Sequence, residues 1–273
     1  MSTRTITQNK SITFTEKTKI KNLDIFLRGI FLPVGILSLW QLLSFIGLLP
    51  AQLFSSPSLI WQQFITLLQT GDLATHLQIS LWRAFLGFSL GSFLGLTIGL
   101  IVGMNRKSEQ YLNPTIQMIR TVPLLVLTPL FIMWFGFGEL AKVLLIALGA
   151  FFPLYLQTFL GIRNVDQKLY DVARILEYSK LETVTKLMIP ASLPNILLGI
   201  RLALSTAWMC LVVAELLGAD RGVGFMIQDA RSFMQTDTVF VGIIIFALAG
   251  KLSDSFVRLL ENRLLKWQDS FKA

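Results

Sequence analysis

The sequence has one cysteine, Cys210, and one histidine, His76. A lone cysteine excludes an intrachain disulfide and leaves the redox compartment undetermined. Cys210 lies in an apolar run and reads as a small buried apolar side chain. A lone histidine with no cysteine or acid cluster beside it offers no metal-ligand spacing. His76 stands at the start of an apolar segment and reads as an interfacial structural residue. Charge is scarce as well: Asp, Glu, Lys and Arg make up 15% of the 273 residues, against about 25% in an ordinary soluble domain. No paired carboxylates fall inside the apolar segments, which argues against a membrane-embedded enzyme. A phosphate loop is missing too. Gly250-Lys251 imitates its end, but Ile245 stands where its first glycine belongs and Leu252 where Ser or Thr should follow. No cofactor or metal site is therefore expected.

What is present in excess is apolar surface, with 53% hydrophobic residues and a mean hydropathy of +0.65. A bilayer accepts such surface, and a spanning helix needs about 20 mainly apolar residues. Six segments qualify, at roughly Phe26–Leu48, His76–Met104, Pro114–Phe135, Leu140–Ile162, Asn195–Gly218 and Thr238–Leu264. The expected fold is an all-α integral membrane bundle of about six transmembrane helices. Ser58–Leu68 is too short to span. It places Leu59, Ile60, Phe64, Leu67 and Leu68 on one helical face, as a helix lying on the membrane surface does.

The net charge of +8 does not indicate a nucleic-acid partner, because the basic residues are dispersed among the ends of apolar segments. They read as topology signals. The polar first 25 residues carry Arg4, Lys10, Lys17, Lys19 and Lys21 and lack the apolar core of a cleavable signal. They are expected to be a disordered cytoplasmic tail. Arg106 and Lys107 follow the second segment. Arg163, Lys168, Arg174, Lys180 and Lys186 follow the fourth, and Arg258, Arg263, Lys266 and Lys272 mark the end. Leu49–Thr75 has no basic residue, and Ala219–Asp237 has only Arg221 and Arg231. The positive-inside rule then puts both termini in the cytoplasm, with residues 268–273 as a second short tail.

Gly87, Gly91, Gly95, Gly99 and Gly103 repeat every fourth residue and form a smooth helical stripe. Such a stripe admits close helix contact, either within the bundle or across a dimer seam. Pro123, Pro129 and Pro153 interrupt the third and fourth segments. In a membrane they free backbone carbonyls, either as simple kinks or along a translocation path. Charges within or beside the segments are Arg83, Arg120, Lys142, Arg201 and Glu215. Arg120 and Arg201 lie near the expected cytoplasmic boundary and can snorkel. Arg83 and Glu215 are candidates for a structural ion pair or, with Arg120, for the substrate pathway. Arg83 or Arg120 would lend that pathway a positive potential suited to a small anion.

The connection after the fourth segment is much longer than joining two helices requires. Leu169, Val172, Ala173 and Leu176 form one apolar helical face. After a turn near Tyr178–Lys180, Leu181, Val184, Leu187 and Met188 repeat the pattern. Two short amphipathic helices over 163–194 suit docking into a groove on a soluble partner.

This connection, DVARILEYSKLETVTKLMIPASLPNILLG from Asp171 to Gly199, resembles the EAA motif of binding-protein-dependent ABC permeases. The resemblance runs from about Phe26 to Trp267. It is close to the aliphatic-sulfonate branch, which includes taurine, nitrate and bicarbonate permeases, in HLQISLWRAFLGF (76–88), IRTVPLLVLTPLFIMWFG (119–136), ALGAFFPLYLQT (147–158), GIRNVD (161–166), FMQTD (233–237) and GKLSD (250–254). It implies a MetI-like bundle of the type I ABC importer permeases in a bacterial cytoplasmic membrane. It further implies pairing with a second permease chain, two ATPase subunits beneath the pair and an extracytoplasmic binding protein that delivers the substrate. Asp171, Val172, Ala173, Leu176, Glu177, Leu181, Val184 and Pro190 would then carry coupling to the ATPase. The family usually has Gly where this chain has Glu177. A left-handed turn there costs a non-glycine residue about 1 kcal/mol, so the corner is expected to be rebuilt around Ser179 or absorbed into the first short helix. A secondary transporter working alone would predict inverted repeats and discontinuous helices, and it leaves the long amphipathic connection unexplained.

Overall fold

The computed structural model describes residues 31–50 and 53–266, and every regular element among them is a helix. The expected tails at 1–25 and 268–273, and the start of the first span at 26–30, lie outside the described residues. The chain divides into two compact units, Met1–Gln63 and Phe64–Ala273. The first holds α1 (Phe31–Phe45) and the beginning of α2 (Pro57–Thr70). The described part of α1 is roughly 22 Å long, short of the ~30 Å hydrocarbon thickness. Gln41 fixes the start of α2, donating to Ser58 Oγ at 3.2 Å and accepting from the Ser58 amide at 3.1 Å. α2 is the helix expected over Ser58–Leu68.

In the second unit α3 (Asp72–Met104), α6 (Glu139–Arg163) and α9 (Ile189–Gly218) interlock. The glycine stripe of α3 is buried along its whole length and settles against α6. A Cβ on Gly91 would stand 2.1 Å from the Ala147 carbonyl oxygen, and one on Gly95 would stand 2.7 Å from that of Phe151. The stripe is therefore packing inside the bundle, the first of its two readings. Gly87 meets Ile146, Gly99 meets Tyr155 and Gly103 meets Ile162, so α3 and α6 run parallel. α9 runs antiparallel to α6: Gly149 lies under Cys210, and Gly199 under Leu154 and Gln157. Cys210 is buried in the core with Leu145, Ile146, Leu154, Ala207 and Leu211, as its apolar reading expects.

Two parallel helices need a connection that crosses back from the end of one to the start of the next. α4 (Arg106–Arg120) and α5 (Leu124–Phe135) provide it, but the pair bends by 95°. The segment expected over Pro114–Phe135, with an interruption at Pro123, is thus a crossing broken at that proline. Pro123 lacks an amide donor and disfavours helical backbone at the residue before it. α4 is also amphipathic and begins at Arg106, where the Asn105 side chain accepts from the Lys107 amide at 2.9 Å.

The fifth span is corrected. Helix begins at Lys180 rather than near Asn195, and Lys180–Gly218 is one 39-residue run comprising α8 (Lys180–Glu182), a wide π-turn (Thr183–Met188) and α9. The π-turn precedes Pro190, whose ring would clash with the Lys186 carbonyl in a regular α-helix. A wider turn relieves that contact. The second short helix of the connection is therefore the lower end of a spanning helix. After α9, the short α10 (Val223–Ser232), which the sequence pattern did not suggest, packs on α11 (Thr236–Leu264). α11 returns alongside α9, with Arg201 bound to Asp254 at 2.5 Å and Trp208 donating to Ser253 at 3.0 Å. Arg201 is therefore paired within the bundle. Among the described residues, four helices are long and apolar enough to cross a membrane, and the bent pair makes up to five.

Candidate functional sites: an elbow and a buried charge cluster

At one end of the bundle, α7 (Gln167–Ile175) and the start of the long helix form an elbow. Asp166 caps α7 by accepting from the Lys168 amide at 3.0 Å. α7 closes with two bonds typical of a helix stop: the Tyr178 amide donates to the Ala173 carbonyl at 3.0 Å and the Glu177 amide to Arg174 at 3.1 Å. That geometry needs a left-handed residue at 177, and Glu177 adopts it, with φ 51°. The turn is neither rebuilt nor absorbed; it keeps the glycine conformation with a glutamate in it. Met234 does the same after α10, with φ 57°. Replacing Glu177 with Gly is expected to stabilise the corner by about 1 kcal/mol. The Tyr178 amide should then exchange its hydrogen roughly fivefold more slowly.

The next helix starts at once. Ser179 Oγ accepts from the Glu182 amide at 3.3 Å, and the Glu182 carboxylate accepts from the Ser179 amide at 3.1 Å. Lys186 donates to Glu182 at 2.8 Å and lies 5.2 Å from the centre of the Tyr178 ring. The Lys186 bond, followed by those from Ser179, holds the Glu182 carboxyl down to about 2. Because the folded value lies below the unfolded one, this contribution is complete above about pH 4.5 and fades only as pH falls towards 2. The Glu182 contribution is therefore constant through the neutral range.

The elbow sorts the eight sequence-predicted coupling residues. Val172, Leu176, Leu181, Asp171, Glu177 and Pro190 are exposed, Val184 is half-buried, and Ala173 is 3% exposed. Val172, Ala173, Leu176 and Pro190 meet in one groove with Tyr178 and Leu187. Val184 faces a different cleft, and Leu181 and Glu177 line neither. Ala173 is the groove's floor and accepts the corner hydrogen bond. Ile175, 80% exposed, was missed. The signal was there: positions 172, 175 and 176 are neighbours on a helix surface.

The other end of the bundle holds buried charge. Arg83 is 2% and Glu215 1% exposed, and they pair at 3.0 Å. Arg83 also donates to both oxygens of Glu139, at 2.7 and 2.5 Å, and to the Arg221 carbonyl at 2.5 Å. Glu215 accepts from Ser80 at 2.7 Å and from the Gly224 amide at 2.8 Å. Ser80 Oγ accepts from the Val223 amide at 2.9 Å, and His76 Nδ1 from that of Gly222 at 3.0 Å. His76, Ser80 and Arg83 share one face of α3 at helical spacing. Gly222, at φ 119°, is needed because a Cβ there would lie 2.4 Å from the Glu215 carboxylate. Lys142 is buried and reaches Glu139 at 3.3 Å.

Two cations face two carboxylates here, so the cluster is compensated, and its geometry is that of a clamp holding α10's first turn to α3, α6 and α9. The Arg83–Glu215 pair is found; Glu139 and the backbone partners were not foreseen. Arg120 is elsewhere, exposed at the last residue of α4 beside the 95° bend.

Residues 91–266 match the family model described as binding-protein-dependent transport system inner membrane component. A putative aliphatic sulfonates transport permease protein SsuC of Bacillus subtilis is 56% identical, over 90% of this chain and 90% of its own length. Its Escherichia coli counterpart is 46% identical, over 88% and 92%. The taurine transport system permease protein TauC of E. coli is 32% identical over 88% and 90%. Among solved structures, an amino acid ABC transporter superposes with a TM-score of 0.60 at 20% identity, covering 73% of this chain and 98% of that one. The inward-facing MetNI methionine ABC transporter gives 0.55 at 18%, over 66% and 92%. These two show a shared fold. With that fold, the elbow on a spanning helix and matches over nearly its whole length, the chain belongs to the binding-protein-dependent inner-membrane permeases of ABC transporters, as a multi-pass membrane protein.

Proposed function

We propose that this chain is the permease of an ATP-driven importer for aliphatic sulfonates. It is a transport subunit, and ATP hydrolysis belongs to a separate ATPase. A sulfonate stays ionised at neutral pH, and an unpaired charge at the bilayer centre is costly, so it needs a protein path. Sulfonate is favoured over taurine because the two sulfonate permeases resemble the chain at 56% and 46%, against 32% for the taurine permease. Delivery falls to an extracytoplasmic binding protein. The functional unit is a pair of identical chains surrounded by lipid, with both termini and the elbow on the cytoplasmic side. Basic residues gather at the elbow end, which supports that orientation.

The observation that carries the mechanism is the exposed ridge of Val172, Ile175 and Leu176 on an elbow whose second arm is one helix with α9. Three neighbouring apolar side chains in water are an unpaid cost unless a partner covers them. An ATPase gripping this ridge moves α9 directly. ATP drives transport only by binding one arrangement of the pair better than the other.

Val172→Asp with Leu176→Asp is expected to leave the protein inserted but to abolish co-purification of the ATPase. Uptake of labelled alkanesulfonate in proteoliposomes should fall at least tenfold. Normal assembly and uptake in that variant, or uptake by the wild-type chain without any ATPase, would refute the reading. Loss of growth on an alkanesulfonate as sole sulfur source after deletion tests the substrate separately.

A further inference from the structure

Opposite the apolar groove, a cleft of about 650 Å³ opens between the ends of α3 and α6, the first turn of α4 and the inner side of the elbow. This is within the range of small-ligand sites, about 300–1,000 Å³. Arg106, Arg163, Arg174 and Lys180 line it, with Tyr170. Glu109 is the acid that answers them, through contact with Arg163 Nη2. The Nε of the same arginine is buried without a hydrogen-bond partner. Among the described residues no carboxylate pairs with Arg106, Arg174 or Lys180. Glu182, the nearest acid along the chain to Lys180, is committed to Ser179 and Lys186.

Four cations converging on one cleft against a single acid repel one another, and the excess calls for an anion. Beside the polar Gln167 and Thr183, the rest of the wall carries an apolar strip of Met104, Ile162, Val184 and Met188 at the level where two spanning helices end. Basic pockets between spanning helices at this depth suit acidic headgroups, whose phosphate meets the cations while the chain follows the apolar wall. Burial pushes the Tyr170 phenol above its ordinary range, against a smaller opposing pull from Arg163, so it stays a hydrogen-bond donor as an ordinary tyrosine does.

We propose that Arg106, Arg163, Arg174 and Lys180 form a binding site for a tetrahedral oxyanion. It is presented by an anionic phospholipid or taken free from the aqueous phase. The site is separate from the ridge assigned to the ATPase and does not depend on that assignment. Occupancy would neutralise the cations and tie the elbow to α3 and α4.

The test uses the full chain, purified with its partner ATPase and washed in neutral detergent. Native mass spectrometry after exposure to equal phosphatidylglycerol and phosphatidylcholine should show wild type retaining phosphatidylglycerol at least tenfold over phosphatidylcholine. Arg174→Gln with Lys180→Gln should lose that preference, and so should Arg106→Gln, which lies on a different helix and leaves the elbow's own contacts alone. In lipid-free samples, a rise in melting temperature with inorganic phosphate or methanesulfonate, present in wild type and absent in the variants, identifies a free-anion source. Equal retention of both lipids with no response to either soluble anion overturns the proposal. So does wild-type behaviour of both variants in both assays.

Discussion

Replacing Glu215 with Ala should destabilise the protein by about 3–5 kcal/mol, because it leaves Arg83 buried with its charge only partly answered. The loss also orphans the Ser80 hydroxyl and the Gly224 amide, which now share the carboxylate. The expected result is a sharp drop in membrane-inserted protein and a lower melting temperature of the purified complex. A double variant, Arg83→Met with Glu215→Leu, should recover much of the loss, since removing both charges from a buried pair is often close to neutral. Glu139 tolerates losing Arg83, as its side chain is 60% exposed. A cost below about 1 kcal/mol for the single variant would place it among solvent-exposed ion pairs and refute the clamp.

Gly91→Ala is the second large effect. A methyl group 2.1 Å from the Ala147 carbonyl oxygen meets backbone, not a movable side chain. The two helices must part, and every close contact along the stripe loosens with them. Overfilling a packed core costs about 1–3 kcal/mol and sometimes more; here the upper end is expected. Gly250→Ala provides the comparison, because nothing lies within 4 Å of a Cβ at that position. It should be neutral or slightly stabilising, alanine being the better helix former. Melting temperatures of the two purified variants check the difference, and similar values would mean that α3 and α6 slide apart at little cost.

Much of this architecture was legible because hydrophobic length and glycine spacing are local properties. The stripe from Gly87 to Gly103 announced a close helix contact, and the charges at 83 and 215 announced a pair. What stayed hidden depended on context. Pro123 marked the interruption in Pro114–Phe135, but the window averaged the tail of amphipathic α4 with apolar α5, so the size of the bend, 95°, did not show. α10 is short and mixes Gly224 and Asp229 among its apolar residues, too little for a periodic signal. Glu139 reaches Arg83 from 56 residues away, a pairing no spacing rule contains. At Glu177 the intrinsic cost of left-handed backbone was weighed correctly, but the two hydrogen bonds and the Ser179 cap that offset it are visible only in the folded corner.

The unbroken run from Lys180 to Gly218 ties the two sites together mechanically. Its regular part, the 30 residues of α9, is a rod roughly 45 Å long at 1.5 Å per residue, held at its far end by Glu215 in the charge clamp. Such a rod needs no relay: a tilt imposed at the elbow arrives at the Gly222 turn as a displacement of the same body. It also fixes the phase of its two ends. One residue added or removed along it would turn Glu215 by about 100° relative to the elbow, taking its carboxylate away from Arg83 and Ser80 for any fixed position of the elbow.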